Sequence, residues 1–257
     1  MSFKVQSDNH LRGLAAAAFT TAATAAGYRQ AGLNDGTLAE GWQASAAAAT
    51  VNIAVALGAA QALGAVSFWS AKGATTGPTQ VALVEVFHKT LVGDPWVSAG
   101  TVVPNARGDG LLAVSATKRY VRWAFTMASG AEALFVGELR VGSLTTLTFA
   151  PAGPFSQGED DHTIANESVG GALLGVQLRD YARRLRFSWS SITEAAFTEL
   201  RTIVRAARGR LYPVVVLPES SRGIEVYHGH LGDSWGWEID FVEWRGAGFD
   251  FRESGRP

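Results

Sequence analysis

Val51-Asn52-Ile53-Ala54-Val55-Ala56-Leu57 places Val51, Ile53, Val55 and Leu57 on one side and Asn52, Ala54 and Ala56 on the other. A period of two marks a half-buried β-strand, because successive side chains of extended backbone point to opposite faces. Gly58 is expected to stop this strand. Downstream, Ala65-Val66-Ser67-Phe68-Trp69 reads as the next strand, and Gly73 to Pro78 as a loop by its Gly, Thr and Pro content. Val81 to Phe87 is a run enriched in β-branched residues, closed by Gly93-Asp94-Pro95. Trp96 to Val103, Gly110 to Ser115, Tyr120 to Thr126 and Leu134 to Val141 continue the series. Many short strands separated by turns predict a sandwich or jelly roll.

Upstream lies Asn34-Asp35-Gly36-Thr37-Leu38-Ala39-Glu40-Gly41-Trp42. Asn and Asp bond their own backbone and Gly supplies positive φ, so a sharp turn is expected at Asp35-Gly36. Trp42, with about 150 to 250 Å² of surface to bury, is expected to plug the end of a core. Residues 1 to 30 show no clear period and read as a helix or an extended arm. The apolar stretch Leu14 to Ala26 is interrupted by Thr20, Thr21 and Thr24, which makes it too short and too polar to span a bilayer. As a signal peptide its Ala/Thr run would be a poor apolar core.

The 257 residues suffice for one large β domain or two ordinary ones. A net charge of −1 argues against a general nucleic-acid binder, which would carry a basic stripe. The absence of Cys excludes a disulfide framework, thiolate metal sites and a Cys nucleophile. The fold must therefore rest on its core, and 47% hydrophobic residues with 13 Phe and 8 Trp can supply one. Every Lys (Lys4, Lys72, Lys89, Lys118) precedes residue 150, and only Arg serves as the cation beyond it. Arg suits planar, partly buried pairing, so the second half is a candidate for subunit contacts, with coding bias as the plainer account.

Asn34-Asp35-Gly36 with Trp42, the strand Val51 to Leu57 followed by Gly64-Ala65-Val66, then Tyr120-Val121-Arg122-Trp123 and Gly137-Glu138-Leu139-Arg140-Val141-Gly142 together resemble the ordered landmarks of a galactose-binding-like jelly roll, the discoidin-like, coagulation-factor type C domain. The resemblance covers residues 28–142. It implies a calcium site at Asp35 and Glu138, assisted by Thr37 and backbone carbonyls. The family's usual turn repeats an acid where this chain has Thr37, and calcium wants six to eight oxygens. The plainer account is that Asp35 caps its own turn and Glu138 makes a hydrogen bond or salt bridge.

Residues 143–171 are rich in Gly, Pro, Ser and acids and read as a linker or long loop, with Glu159, Asp160, Asp161 and His162 on a solvated face rather than around a metal. Beyond it Leu185, Phe187 and Trp189 alternate with Arg184, Arg186 and Ser188, a half-buried strand with a basic outer face. Ser191-Ile192-Thr193-Glu194 has capping-box spacing. A helix should follow, with Phe197, Leu200, Val204 and Ala207 on one face, Arg201, Arg205 and Arg208 near its end and Gly209 as its stop. Tyr212 to Leu217, Ile224 to Leu231 and the alternating Trp235 to Phe241 read as strands. Residues 172–257 are thus expected to form a small α+β domain of about 85 residues, one helix packed on a sheet.

A jelly roll (28–142) after an N-terminal arm (1–27), with a linker and then an Arg-rich α+β unit, is similar in arrangement to structural proteins of bacteriophage tails. That resemblance implies a non-enzymatic virion subunit of a tail tip or baseplate, built into a homo-oligomeric ring with other phage tail proteins. Its interface would use Arg184, Arg186, Arg201, Arg205 and Arg208. The alternative is a carbohydrate- or receptor-binding protein that meets a host-surface glycan with its jelly-roll loops.

Other candidate chemistry is weaker. Gly232-Asp233-Ser234 matches an esterase nucleophile turn, but strand and not a strand-to-helix turn is expected around it, and Trp235 stands where a protease serine motif needs Gly. His228 and His230 share one face of a strand without a visible third ligand, so a polar sheet face is expected. No phosphate-cradling Gly motif is present. Trp69, Trp96 and Trp123 are candidates to stack on a sugar, with core packing as the plainer account. No enzyme activity and no cofactor are expected.

Overall fold

The computed structural model describes residues 3–34, 41–73, 80–128, 132–147, 156–160, 163–167, 173–177, 182–208, 212–220, 223–232, 236–241 and 244–253. In chain order the first strands are β1 (Phe3–Gln6), β2 (Phe19–Thr20), β3 (Trp42–Gln43), β4 (Thr50–Trp69), β5 (Lys72–Gly73), β6 (Val81–Lys89), β7 (Val97–Val102), β8 (Gly110–Met127), β9 (Leu134–Val136), β10 (Glu138–Gly142) and β11 (Thr145–Leu147). Then come β12 (Ser156–Asp160), β13 (Thr163–Glu167), β14 (Leu173–Gln177), β15 (Ala182–Thr193), α1 (Glu194–Ala206), β16 (Val214–Ser220), β17 (Gly223–Ile224), β18 (Tyr227–Leu231), β19 (Gly236–Phe241) and β20 (Trp244–Glu253). The chain is mainly β.

A six-stranded sheet runs β10-β4-β8-β6-β7, with β2 also on β4, and a three-stranded sheet runs β3-β9-β5. The alternation read from Val51 to Leu57 sends Val51, Ile53 and Val55 inward, where they join Val84 and Val86 of β6 and Val121, Trp123 and Phe125 of β8. Trp42, Leu134 and Val136 of the small sheet belong to the same cluster, so the two sheets close one sandwich core. Trp42 is fully buried and its indole N–H donates to the Thr24 hydroxyl at 2.9 Å, which is the plug expected of it.

Gly58 does not stop the strand. It takes φ +77°, the ladder with β8 slips between Ala56 and Gln61, and β4 continues to Trp69. A glycine at positive φ lets one strand absorb extra residues as a bulge while its partner carries the pairing onward. For the same reason Gly110 to Ser115 and Tyr120 to Thr126 are parts of one strand, β8.

The other large sheet runs β11-β1-β16-β18-β20-β15-β12, with β17 on β16 and β19 on β20. Residues 3–6, within the stretch read as an arm, form β1 and pair with both β11 and β16. The stretch read as a linker carries β11, β12, which pairs with β15, and β13, which pairs with β14. Leu185, Phe187 and Trp189 face inward as their alternation predicts and share a core with Phe3, Val5, Val214, Val216, Tyr227 and Phe251. The α-helix α1 packs on that sheet face through Ala196, Phe197, Leu200 and Ile203. Phe197, Leu200 and Ala207 are buried and the half-buried Val204 packs against the same core, as expected, with Ile203 added to the stripe. The cap differs: Thr193 is the N-cap and its hydroxyl accepts from Ala196 N–H at 3.3 Å. β15 runs to Thr193, so a cap at Ser191 would lie inside the strand. Gly209 lies outside the described residues.

Candidate functional site

Asp35 and Thr37 lie outside the described residues. Glu138 sits on β10 beside Trp69 of β4, 1% exposed. Its carboxylate lies 3.0 Å from His228 Nε2 and 3.6 Å from Arg140. Neither Glu138 Oε2 nor His228 Nε2 completes a hydrogen bond there, so the contact is electrostatic. Arg140 donates to the carbonyls of Pro213 at 2.9 Å and Asp8 at 3.2 Å, and the His228 ring stacks on Trp69 with centroids 4.0 Å apart. Burial raises the Glu138 carboxyl, but His228, Arg140 and Arg12 outweigh it and hold the group below its ordinary range. Burial pushes His228 down, more than Glu138 pulls it up. Glu138 thus faces cationic and imidazole partners at the junction of the two large sheets. Among the described residues no group of three His, Asp or Glu is placed to hold a metal.

The remaining sequence candidates scatter. His230 is half-buried on β18 next to the buried His228. Glu159 and Asp160 are on β12, while Asp161, His162, Asp233 and Ser234 lie outside the described residues. Arg184, Arg186, Arg201, Arg205 and Arg208 are all exposed. Arg186 lies 3.7 Å from Asp250 across the β15–β20 ladder, and Arg208 lies 5.4 Å from the Tyr212 ring. The helix covers the sheet face from which Leu185 and Phe187 project, so Arg184 and Arg186 point away from it on the far face. The five arginines therefore form two sets on opposite sides of the layer, not one patch.

Of the three tryptophans, Trp69 and Trp123 are core, at 1% and 0% exposure. Trp96 is half-exposed at the start of β7 and belongs to a ledge on the outer face of the sandwich. β6 alternates buried Val84 and Val86 with outward Glu85, Phe87 and Lys89, and β8 alternates buried Val121 and Trp123 with outward Tyr120, Arg122 and Ala124. The register sets Phe87 opposite Arg122 and Lys89 opposite Tyr120, while on the other side Ala54 and Ala56 of β4 flank Arg122 and Tyr120. The Arg122 guanidinium lies 4.2 Å from the Phe87 ring centre and 4.8 Å from that of Trp96. Lys89 Nζ lies 4.9 Å from Trp96 and 5.5 Å from Tyr120, and donates to the Val92 carbonyl. Leu91 N–H donates to the Asp94 carboxylate at 2.8 Å, which ties the turn that carries Trp96. Ser98 Oγ donates to Glu85 at 2.7 Å. Leu91, Val92 and Val97, at 63%, 72% and 53% exposure, extend the apolar surface at this end of the sheet.

Three aromatics, cations and a hydroxyl–carboxylate pair over a floor of small alanines make a shallow surface that offers apolar ring area and hydrogen-bond donors together. Phe87, Tyr120, Arg122 and Lys89 escaped sequence reading as site residues. Alternation within each strand puts them on an outer face, but the register that brings β6 beside β8 is not written in either strand alone.

No family model and no curated protein matches the chain. Solved structures similar to it include chitosan-binding module 1 of a chitosanase/glucanase from Paenibacillus sp. IK-5, at 18% identity over 52% of this chain and 98% of that one, with a TM-score of 0.44. The CBM32 of AlyQ in complex with 4,5-unsaturated mannuronic acid matches at 16% identity over 53% and 96%, with a TM-score of 0.40. The lectin domain of lectinolysin complexed with Lewis B antigen matches at 14% identity over 53% and 96%, with a TM-score of 0.43.

Proposed function

We propose that this protein is a non-catalytic carbohydrate-binding protein that holds a glycan on the ledge formed by Phe87, Trp96 and Tyr120. The observation that carries this reading is the half-exposed Trp96 set between Lys89 and Arg122. A pyranose presents apolar C–H faces and a rim of hydroxyls, so a surface that recognises it needs aromatic area with polar groups beside it. Glu85, Ser98, Lys89 and Arg122 supply that rim on the same face. The test is a glycan array with the purified protein, alongside Trp96→Ala and single-stranded DNA as a control. Loss of one aromatic platform is expected to weaken binding by about tenfold or more, the equivalent of about 1–3 kcal/mol. A flat array, or DNA bound better than any glycan, overturns the reading.

A second reading, a ring-building subunit of a phage tail tip, draws on the exposed Arg201 and Arg205 of α1 and Arg208 just beyond its end. It requires a closed oligomer made of repeated heterologous interfaces. A monomer in sedimentation at micromolar concentration, alone and with tail partners, would count against it.

A further inference from the structure

We propose that the ledge selects glycans that carry carboxylates, polyuronates in chemical class, with Arg122 as the group that receives the carboxylate. The inference rests on the carbohydrate-binding reading and names its ligand. The whole chain has a net charge of −1, yet this face gathers Lys89, Lys118 and Arg122 against the carboxylates of Glu85 and Asp94. Glu85 accepts from Ser98 and Asp94 from the Leu91 amide, both neutral donors, so the two carboxylates keep their charge and three cations face them. The surplus of cations is local and is not explained by composition.

Arg122 is the distinctive member. Its guanidinium lies against the rings of Phe87 and Trp96, and its Nε is buried with no hydrogen-bond partner. Contact with rings occupies the flat faces of a guanidinium, and with Nε buried the edge left for a ligand is the fork of Nη1 and Nη2, which can match a carboxylate with two parallel hydrogen bonds. The neighbouring rings hold that fork in place, so little side-chain freedom is lost when a ligand arrives. Lys89, beside Trp96 and Tyr120, adds a second positive charge within the ledge for a neighbouring residue of the same chain. A neutral glycan would use the rings and leave the fork unmatched.

The experiment measures affinity by calorimetry for polygalacturonate, fully methyl-esterified pectin, dextran and dextran sulfate, using the full chain and Arg122→Lys. Polygalacturonate is expected to bind about tenfold or more tightly than its methyl ester, and Arg122→Lys, which keeps the charge but not the fork, should lose most of that margin. Equal affinity for the ester or for dextran overturns carboxylate selection and leaves the carbohydrate-binding reading standing. Dextran sulfate bound as tightly as polygalacturonate also overturns it, since the face would then respond to any polyanion. If no polysaccharide binds, both readings fall together. The comparison of free acid with ester uses the unaltered protein, so the outcome does not depend on whether the variant folds.

Discussion

Glu138 and His228 show how much one pair of side chains can carry. Both are almost wholly removed from water, and they meet where β10 of the sandwich faces β18 of the other large sheet. Around His228 stand Glu138, Arg140 and His230, and around Glu138 stand His228, Arg140 and Arg12. A histidine whose folded pKa falls below its ordinary 6.5 is protonated first in the unfolded chain. Its contribution to stability is complete above about that pH and is lost as acid is added towards the folded value. Glu138, also depressed, adds a loss of the same sign below its ordinary 4.5. Urea unfolding of the protein should therefore show stability falling from pH 7 to 5. His228→Gln, which leaves an uncharged amide beside Glu138 and cannot titrate, should flatten that fall. An unchanged slope would assign the dependence to other groups. Sequence reading singled out both residues, one for calcium and one for a metal on a sheet face. It could not pair them, because they lie far apart in the chain and only the docking of the two sheets makes them neighbours.

Among the elements, those whose side chains alternate were legible and those that depend on a partner strand were not. β4, β6, β8 and β15 each carry an inward row of large apolar residues, and the sequence pattern alone assigns their faces. β20, a central strand of its sheet, is the exception: Ala247, Phe249 and Phe251 alternate with Gly248, Asp250 and Arg252, yet only three apolar residues carry the period and the strand was not read. Gly229 and Gly248 indicate why glycines are there: a Cβ at Gly229 would lie 2.1 Å from the Arg252 carbonyl oxygen, and one at Gly248 3.1 Å from that of Phe187. Trp96 was legible as a sugar candidate, whereas Arg122 took its meaning from the rings placed around it. The helix was legible in position but not in its start, and the cap gives a direct check. Thr193→Ala removes the hydroxyl that accepts from Ala196 and should cost about 1 kcal/mol in urea unfolding, while Ser191→Ala should not carry this capping loss. The reverse ranking would restore the capping box.

At the scale of the whole molecule, the segment from Phe3 to Arg12 fastens the two large sheets to each other. Phe3 and Val5 are buried in the second core, and β1 lies between β11 and β16. Gln6 then reaches into the sandwich, donating to the Ala65 carbonyl at 3.1 Å and accepting from the Ser67 hydroxyl at 2.7 Å. Asn9 accepts from the amides of Leu11 and Val141. On another side Arg107, from the turn between β7 and β8, lies 2.5 Å from the buried Glu253 of β20, which Arg183 also grips through two nitrogens. Removing residues 1–8 would leave β11 without its β1 partner, open one edge of β16 and expose the pocket of Phe3 and Val5. Burial of those two side chains is worth about 1.5–3 kcal/mol each. Their sum, with the lost strand pairing, is comparable to the total stability of about 5–15 kcal/mol typical of a folded protein. The truncated chain should therefore lose its cooperative unfolding transition in the second sheet, bind a hydrophobic dye, and yield to limited proteolysis beyond residue 143, while the sandwich core around Trp42 and Trp123 is cut more slowly. A truncated protein that unfolds in one transition, within about 1 kcal/mol of the full chain, would show that β1 is a passenger in the sheet. The sequence offered little sign of this role. Four residues of strand are too few to show a period, and their importance comes from the two neighbours they join.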